Sequence, residues 1–542
     1  MIKKVGMVSP EKTSLSPVQR SGRYVLVLFI VSVAVRVVFL VHYKMIDTDS
    51  AYYGNIARLF AAGHWQKALD PYWPPLYPFF ASLLYRLGIG LEASGILVSL
   101  LASAGTVVLC FFLGKRLGGE RAGLIAAGLA AFHPRLISIS QSFLTEPLFL
   151  FFSGAALALY CRIFDGQGHE TKGSQPLLFA ALGVLLSLSF LTRPEAVFYL
   201  LLILVISGLK FLLRPALKKS LSPKKMAAHS LLLLLLLAGF ILPSLPYILR
   251  LAEIQGRLTL GEKAEANFYL AYRDDYKKLG ISVEPSGYDS ITGPAEPRRP
   301  GNYHLLQFLQ KNPGTILKKS LRNLPNALFD KIPSLMYWPL TLLCLFGLAY
   351  RKEIRRSVYD LIFGLWILVP VVIYSPLFLY RRFFTPALIP MIVWCALGLE
   401  ELRRRLPRKI FQAGAVLGAV LLLFLTNFSI SSQSWPTLYK KAGLWLKSHA
   451  DRPVILSSRK PETSFYADAE FRPLNAQKIE DLFDFLKNGN ITHLVIDDYI
   501  IPSSHPQLAD LLDARRAPPW LIPIFFETQD GHTLILYKFQ GS

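Results

Sequence analysis

The chain is built around apolar runs that are long enough to cross a lipid bilayer. One of them contains seven consecutive leucines, Leu231 to Leu237, and a helix needs about 20 apolar residues to span the hydrocarbon core. Hydrophobic residues make up 52% of the 542 residues, and the mean hydropathy is +0.38. A soluble domain has too little polar surface to cover so much apolar mass. The sequence therefore predicts a polytopic helical membrane protein.

The apolar runs predict an all-α membrane domain with about 11 transmembrane helices. These spans are expected at residues 24–43, 93–114, 121–133, 143–161, 177–191, 196–213, 229–249, 333–350, 358–379, 383–400 and 410–430. The segment 76–87 is shorter and carries Arg86, so we expect it to lie in the membrane interface. The first run is longer than a signal-peptide core and no small-residue cleavage site follows it, which predicts a retained helix.

Positive charge predicts the orientation of these spans. The chain has 59 Lys and Arg against 36 Asp and Glu, a net charge of +23. The basic residues lie in short clusters between apolar runs, which is typical of cytoplasmic loops, so no nucleic acid is expected as a partner. Such clusters fall within 3–23, 115–121, 210–225, 351–356 and 403–409. The positive-inside rule therefore predicts a multi-pass protein of the inner (plasma) membrane with a cytoplasmic N-terminus.

An odd number of spans places the C-terminus outside, and three long segments then face outward: 44–92, 250–332 and 431–542. We expect residues 1–430 to form the membrane domain and 431–542 to form a small extracytoplasmic α/β domain. In the latter, the pattern predicts helices at 440–450 and 479–488, and strands at 453–458, 492–497, 520–527 and 533–539. The last two strands flank the sequence QDGH, which predicts a hairpin turn. No Gly-rich phosphate loop is present, so nucleotide binding is not expected.

The first outward segment opens with two carboxylates. Asp47 and Asp49 lie where the first span leaves the bilayer, and Tyr52 and Tyr53 follow them. A carboxylate at this boundary can act as general base towards an acceptor hydroxyl. The alternative is that one of the two caps the helix that starts near Ser50. They could also hold a divalent cation, although two carboxylates select no particular metal and the sequence requires none.

Further ionisable residues lie at the outward ends of later spans. They are His133, Glu146, Arg193 and Glu195. Ionisable groups at membrane depth are costly and point to function. The alternative is a structural ion pair, for example between Glu146 and Arg193.

A pair of arginines lies at the outward mouth of the tenth span. Arg381 and Arg382 stand on the side that the positive-inside rule keeps poor in positive charge. A phosphate ligand would explain them, because a guanidinium offers a fork of donors that matches phosphate oxygens. The alternative is contact with lipid headgroups.

Taken in order over residues 20–430, these segments resemble the GT-C superfamily of polyprenyl-phosphate-sugar glycosyltransferases, in particular the bacterial protein O-mannosyltransferases and lipid A aminoarabinose transferases. The resemblance rests on the segments DTDSAYYGNIA, PPLYP, TEPLF, LTRPE and RRFFTPALIP. It implies that Asp49 is the catalytic base, with Asp47 beside it, and that Glu146 is the second outward acid. Many relatives carry a Lys directly before Pro-Pro-Leu, where this chain has Trp73. That difference moves the expected phosphate contact to Arg381, Arg382 or Arg273.

The resemblance implies transfer of a sugar from a polyprenyl-phosphate donor to a hydroxyl of a lipid, glycan or protein acceptor, on the extracytoplasmic face and with inversion. Membrane lipids are further expected partners. The residues expected to bind substrate are Arg381, Arg382, Arg193, Glu195, Arg273, Tyr52, Tyr53 and His133. Two other classes remain open: a transporter or flippase, which would show repeats and ionisable groups near the midplane, and a non-catalytic scaffold.

Overall fold

A computed structural model describes residues 17–165, 174–212, 223–283, 301–350, 358–407, 409–428, 435–451 and 453–541. The predicted basic cluster at 351–356 lies outside these residues, as do large parts of those at 3–23 and 210–225. Within the described ranges the chain up to residue 428 is helical, and the strands of the only sheet there follow after it.

The first half of the membrane part consists of helices joined by short loops. They are α1 (Pro17–Phe39), α2 (Thr48–Ala61), α3 (Trp65–Ala68), α4 (Leu76–Arg86), α5 (Leu91–Phe132), α6 (Pro134–Ser140), α7 (Glu146–Asp165), α8 (Gln175–Phe190), α9 (Ala196–Leu212) and α10 (Pro223–Gln255). The predicted interfacial segment is helix α4. Arg86, at its end, donates hydrogen bonds to the last carbonyls of α2, at Phe60 (2.8 Å) and Ala61 (2.9 Å).

The second half of the membrane part begins with short helices and continues with longer apolar helices. They are α11 (Glu262–Ala271), α12 (Arg273–Lys278), α13 (Leu305–Lys311), α14 (Pro313–Asn326), a π-helix (Ala327–Lys331), α15 (Ile332–Met336), α16 (Trp338–Tyr350), α17 (Val358–Tyr374), a 3-10 helix (Arg381–Ala387), α18 (Leu388–Arg405) and α19 (Lys409–Phe428).

By length and composition, five helices in the described ranges can cross a membrane, or six if one bent pair forms a single span. The five are Gly22–His42, Leu91–Phe132, Glu146–Phe164, Met226–Gln255 and Arg381–Arg405, and the bent pair is Pro313–Met336 with Trp338–Ala349. Shorter apolar helices cover Gln175–Phe190, Ala196–Leu209, Val358–Tyr374 and Ala413–Asn427. Every predicted span therefore coincides with an apolar helix or with one limb of α5.

Helix α5 is two limbs joined at a sharp reversal. Gly119 has φ 82° and ψ −179°, a conformation that residues with a Cβ avoid. The limbs on either side of it pack closely, because a Cβ on Gly123 would lie 2.7 Å from the carbonyl oxygen of Phe111. The limbs correspond to the separate spans that the sequence predicts at 93–114 and 121–133.

The C-terminal region forms a five-stranded mixed sheet in the order β2-β1-β3-β5-β4. Its strands are β1 (Ile455–Ser458), β2 (Glu470–Pro473), β3 (His493–Asp497), β4 (Leu521–Gln529) and β5 (His532–Phe539). The helices of this region are α20 (Thr437–His449), α21 (Glu462–Ala467), α22 (Ile479–Asn488) and α23 (Ile501–Ser504). Two 3-10 helices follow at Pro506–Leu512 and Ala514–Arg516. Strands β1, β2 and β3 are parallel, whereas β5 is antiparallel to both β3 and β4. The predicted QDGH hairpin is confirmed: Gln529 pairs with His532, and Asp530 and Gly531 have φ 53° and 79°.

The C-terminal domain contacts the membrane domain at α2 and at the first turn of α5. Glu92, in the first turn of α5, accepts a hydrogen bond from Tyr466 (2.6 Å) and forms an ion pair with Lys440 (3.0 Å). Arg58 of α2 donates to the carbonyl of Phe465 (2.9 Å). These bonds place α20 and α21 against α5 and α2, and the backbone N–H of Ile46, just before α2, also donates to Tyr466 at 3.0 Å.

Candidate functional site

The two aspartates of the first outward segment occupy the start of α2. Asp47 stands at the N-cap position, but its side chain makes no capping hydrogen bond, so the capping alternative gains no support for this residue. Asp49 lies in the first turn, with 28% of its side chain exposed. One of its oxygens accepts a hydrogen bond from Nη1 of Arg382 at 3.1 Å. The structure thus joins two segments that are 333 residues apart in the chain.

A second group of charges lies beside this pair. Arg193 contacts Glu146 through Nη1 and Glu195 through Nη2, both at 3.0 Å, and its side chain is 11% exposed. Tyr374 donates a further hydrogen bond to Glu195. Burial opposes ionisation of Glu195, but the charge and hydrogen bonds of Arg193 outweigh it and hold the pKa at about 2. The predicted pairing of Glu146 with Arg193 exists, and with Glu195 it engages all three nitrogens of this guanidinium.

The two groups face one cavity of about 80 Å³. Its walls include Asp49, Glu146, Arg193, Glu195, Arg382 and Lys263. A carboxylate, a buried ion-pair network and two further cations therefore converge on one space at the N-terminal ends of α2, α7 and α9. We call this space the Asp49 cavity.

Lys263 is the residue that the sequence interpretation missed. It lies in α11, and its Nζ stands 4.3 Å from the centre of the Trp73 ring and 5.4 Å from that of Tyr72. Among the described residues no carboxylate lies within ion-pair distance of it. Burial lowers the pKa of Lys263, and the negative charge of Asp49 opposes that shift. The chain thus has a lysine over the ring of Trp73, the residue that replaces the lysine of its relatives.

Aromatic residues form the floor beneath Lys263. Trp73 is buried, stacks on Tyr52 at 5.1 Å between ring centres, and meets Tyr53 edge-on at 5.0 Å. Of these tyrosines, Tyr53 lines the Asp49 cavity. Tyr52 packs on Trp73 and does not line this cavity.

Three other candidates lie away from this cavity. His133 is fully buried, and its Nδ1 accepts a hydrogen bond from the backbone N–H of Arg135 at the start of α6. Arg273 and Arg381 are exposed, and neither lines the cavity. Of the predicted arginines at the outward mouth, the structure therefore brings only Arg382 to Asp49.

A preformed metal site was also sought. Across the ranges that the structure describes, no group of three or more His, Cys, Asp or Glu side chains is arranged to hold a metal ion.

Comparison with known proteins agrees with the resemblance stated from the sequence. Residues 96–251 match the family described as dolichyl-phosphate-mannose-protein mannosyltransferase. This segment runs from α5 to α10 and includes Glu146, Arg193 and Glu195. No curated protein matches the chain.

Solved structures share the fold at low sequence identity. ArnT from Cupriavidus metallidurans bound to undecaprenyl phosphate has a TM-score of 0.56 and 12% identity, over 95% of this chain and 98% of that one. The apo oligosaccharyltransferase of Archaeoglobus fulgidus has a TM-score of 0.55 and 14% identity, over 88% and 69%. AglB of the same organism, with an inhibitory peptide and a dolichol-phosphate, has a TM-score of 0.53 and 13% identity, over 94% and 74%. Over residues 96–251 the chain is thus similar to this mannosyltransferase family, it shares the fold of these solved structures, and its apolar helices agree with a multi-pass membrane protein.

Proposed function

We propose that the protein transfers a sugar from a polyprenyl phosphate to an acceptor hydroxyl in the Asp49 cavity, on the extracytoplasmic face of the inner membrane. One observation carries the proposal: Asp49 lines the same cavity as Lys263 and Arg382. A carboxylate that can accept a proton and two cations that can bind a phosphate are the groups that this reaction needs.

In the proposed reaction the acceptor oxygen attacks the anomeric carbon and Asp49 takes its proton. The bond from that carbon to the phosphate oxygen breaks, and its electron pair leaves with the polyprenyl phosphate. Lys263 and Arg382 stabilise the charge that grows on this oxygen. Arg382 can do so because only one of its nitrogens bonds Asp49 and a guanidinium has five N–H donors.

The buried network has a supporting part in this proposal. Arg193 is held between Glu146 and Glu195, so it is a fixed charge rather than a free phosphate ligand. It lies 5.8 Å from the ring of Phe383, which Arg382 also covers at 5.4 Å. The network thereby positions the segment that carries Arg382.

The lipid part of the donor is supported by two relatives of the same fold. Their structures contain undecaprenyl phosphate and a dolichol-phosphate. A donor that is anchored in the bilayer reaches a cavity at the outward ends of the helices without diffusing through water. The orientation predicted from charge, with the C-terminal domain outside, places this cavity on the extracytoplasmic side.

The test is to incubate the purified full-length protein with a panel of polyprenyl-phosphate sugars and to measure release of polyprenyl phosphate. We expect release with at least one donor, together with a sugar-bearing product. In vesicles, movement of a donor between leaflets without cleavage would instead support the flippase alternative and contradict the proposal.

A further inference from the structure

A second and larger cavity lies where the C-terminal domain meets the membrane domain. Its volume is about 390 Å³. The loop between α1 and α2 forms one wall and the turn after α6 forms another. The C-terminal domain forms the third, with Trp435, Tyr439, Lys460, Glu462 and Tyr499. We call this space the Glu462 cavity.

The two cavities share their dividing walls. Asp47 and Thr48 line the Glu462 cavity, whereas Asp49 lines the Asp49 cavity. On the other wall, Phe143 faces the former and Leu144 faces the latter. Adjacent residues of two segments therefore separate the spaces, so a molecule bound in the Glu462 cavity lies next to the proposed base.

The most informative group in this cavity is the carboxylate of Glu462. The residue is only 2% exposed, and one of its oxygens accepts a hydrogen bond from the hydroxyl of Thr48 at 2.8 Å. Its other oxygen has no hydrogen-bond partner among the described residues. A buried carboxylate oxygen without a donor is costly. The site thus calls for a ligand that donates a hydrogen bond.

The remaining walls combine aromatic faces with charge. Trp435 and Tyr499 pack with ring centres 4.4 Å apart, and the Nζ of Lys460 stands 5.5 Å from the ring of Tyr439 and 5.7 Å from that of Tyr499. A sugar ring offers apolar C–H faces and hydroxyl donors on its edge, which suits such walls. An extended peptide typically binds along an open strand edge. Neither edge strand, β2 or β4, lines the cavity, so its walls suit a peptide less well.

Building on the proposed transfer reaction, we propose that the Glu462 cavity binds the acceptor and that the acceptor is a carbohydrate. One of its hydroxyls donates a hydrogen bond to the free oxygen of Glu462. Another reaches across the shared wall, where it loses its proton to Asp49 and forms the new bond to the anomeric carbon. The C-terminal domain is thus a determinant of acceptor specificity.

The test uses the full-length protein and a panel of methyl glycosides, with a Ser/Thr-containing peptide for comparison. Binding is measured by titration calorimetry on the wild type, Glu462→Gln and Glu480→Gln, an exposed control on helix α22. Glutamine keeps an acceptor for Thr48 but presents an amide N–H₂ or a weaker acceptor to the ligand. We expect about tenfold or greater weakening of glycoside binding in Glu462→Gln, since a hydrogen bond to a charged group is lost, and no change in Glu480→Gln.

A third variant separates ligand binding from a structural role. Thr48→Val removes the internal bond to Glu462 and leaves its carboxylate in place, so we expect glycoside binding to stay closer to the wild type than in Glu462→Gln. Equal loss in both would show that Glu462 only secures the domain contact and would overturn the inference. Peptide binding that depends on Glu462, without glycoside binding, would also overturn it. Normal glycoside binding in Glu462→Gln, beside a loss of transfer in Asp49→Asn, would refute this inference and leave the proposed function standing.

Discussion

At the scale of single residues, the two cations proposed to bind the donor phosphate give the most specific prediction. Arg382 lines the Asp49 cavity, whereas its neighbour Arg381 is exposed and does not. Lysine keeps the charge but loses the planar fork that matches a phosphate. We expect Arg382→Lys to lower the rate of donor use by about 10²-fold and Arg381→Lys to have little effect. Steady-state kinetics of the two variants against donor concentration check this, and equal rates in both would move the phosphate elsewhere.

Lys263 predicts a particular pH dependence. Because burial lowers its pKa, its positive charge disappears at a lower pH than that of an ordinary lysine. If this charge binds the donor phosphate, transfer falls on the alkaline side as the pH rises through the lowered value. Lys263→Arg keeps the positive charge to a higher pH, so in this variant the alkaline fall in the transfer rate should shift to a higher pH.

The measurement is the transfer rate from about pH 7 to about pH 11, with Lys278→Arg as a control. Lys278 lies in the same outward segment and is exposed, so its replacement should leave the profile unchanged. An identical alkaline limb in the wild type and Lys263→Arg speaks against a role for this lysine.

The sequence identified some of these residues and could not identify others. Asp49, Glu146, Arg193 and Arg382 are recognisable because charged groups beside apolar spans are costly. Lys263 lies in a polar outward segment, where a lysine is unremarkable. Its relation to Trp73 exists only after 190 residues of chain have folded back, although the missing lysine before Pro-Pro-Leu already signalled that another cation was needed.

At the scale of secondary-structure elements, close packing of α8 on α10 gives a stability prediction. A Cβ on Gly183 would lie 2.2 Å from the carbonyl oxygen of Leu236, whereas one on Gly208 would meet nothing within 4 Å. Overpacking of this kind typically costs about 1–3 kcal/mol. We therefore expect Gly183→Val to unfold at a lower temperature than Gly208→Val in detergent. Equal melting temperatures would show that the two helices can separate at no cost.

The elements themselves were largely predictable, because long apolar runs and alternating strands leave a clear periodic pattern. Strand β2 (Glu470–Pro473) and helix α21 (Glu462–Ala467) were not predicted. Both are short, and β2 is fixed by parallel pairing with β1 rather than by its own pattern. Since α21 begins at Glu462, no sequence pattern pointed to the second cavity.

At the scale of the whole molecule, the orientation in the membrane can be tested independently of activity. Alternating basic clusters predict a cytoplasmic N-terminus and an extracytoplasmic C-terminal domain. Reporter fusions after Pro407 and after Ser542 should therefore report opposite sides. A C-terminal reporter found in the cytoplasm would contradict both the orientation and the face assigned to the Asp49 cavity.

The turnover of Asp49→Asn tests most sharply whether Asp49 removes the proton of the acceptor hydroxyl. Asparagine keeps the size and an acceptor for Arg382 but cannot take the acceptor proton. Loss of a general base typically costs about 10²–10⁴-fold in rate. Single-turnover sugar transfer should therefore fall by about this factor, with polyprenyl-phosphate binding retained and with Asp484→Asn, an exposed control, unaffected. Near-normal transfer by Asp49→Asn would contradict the account.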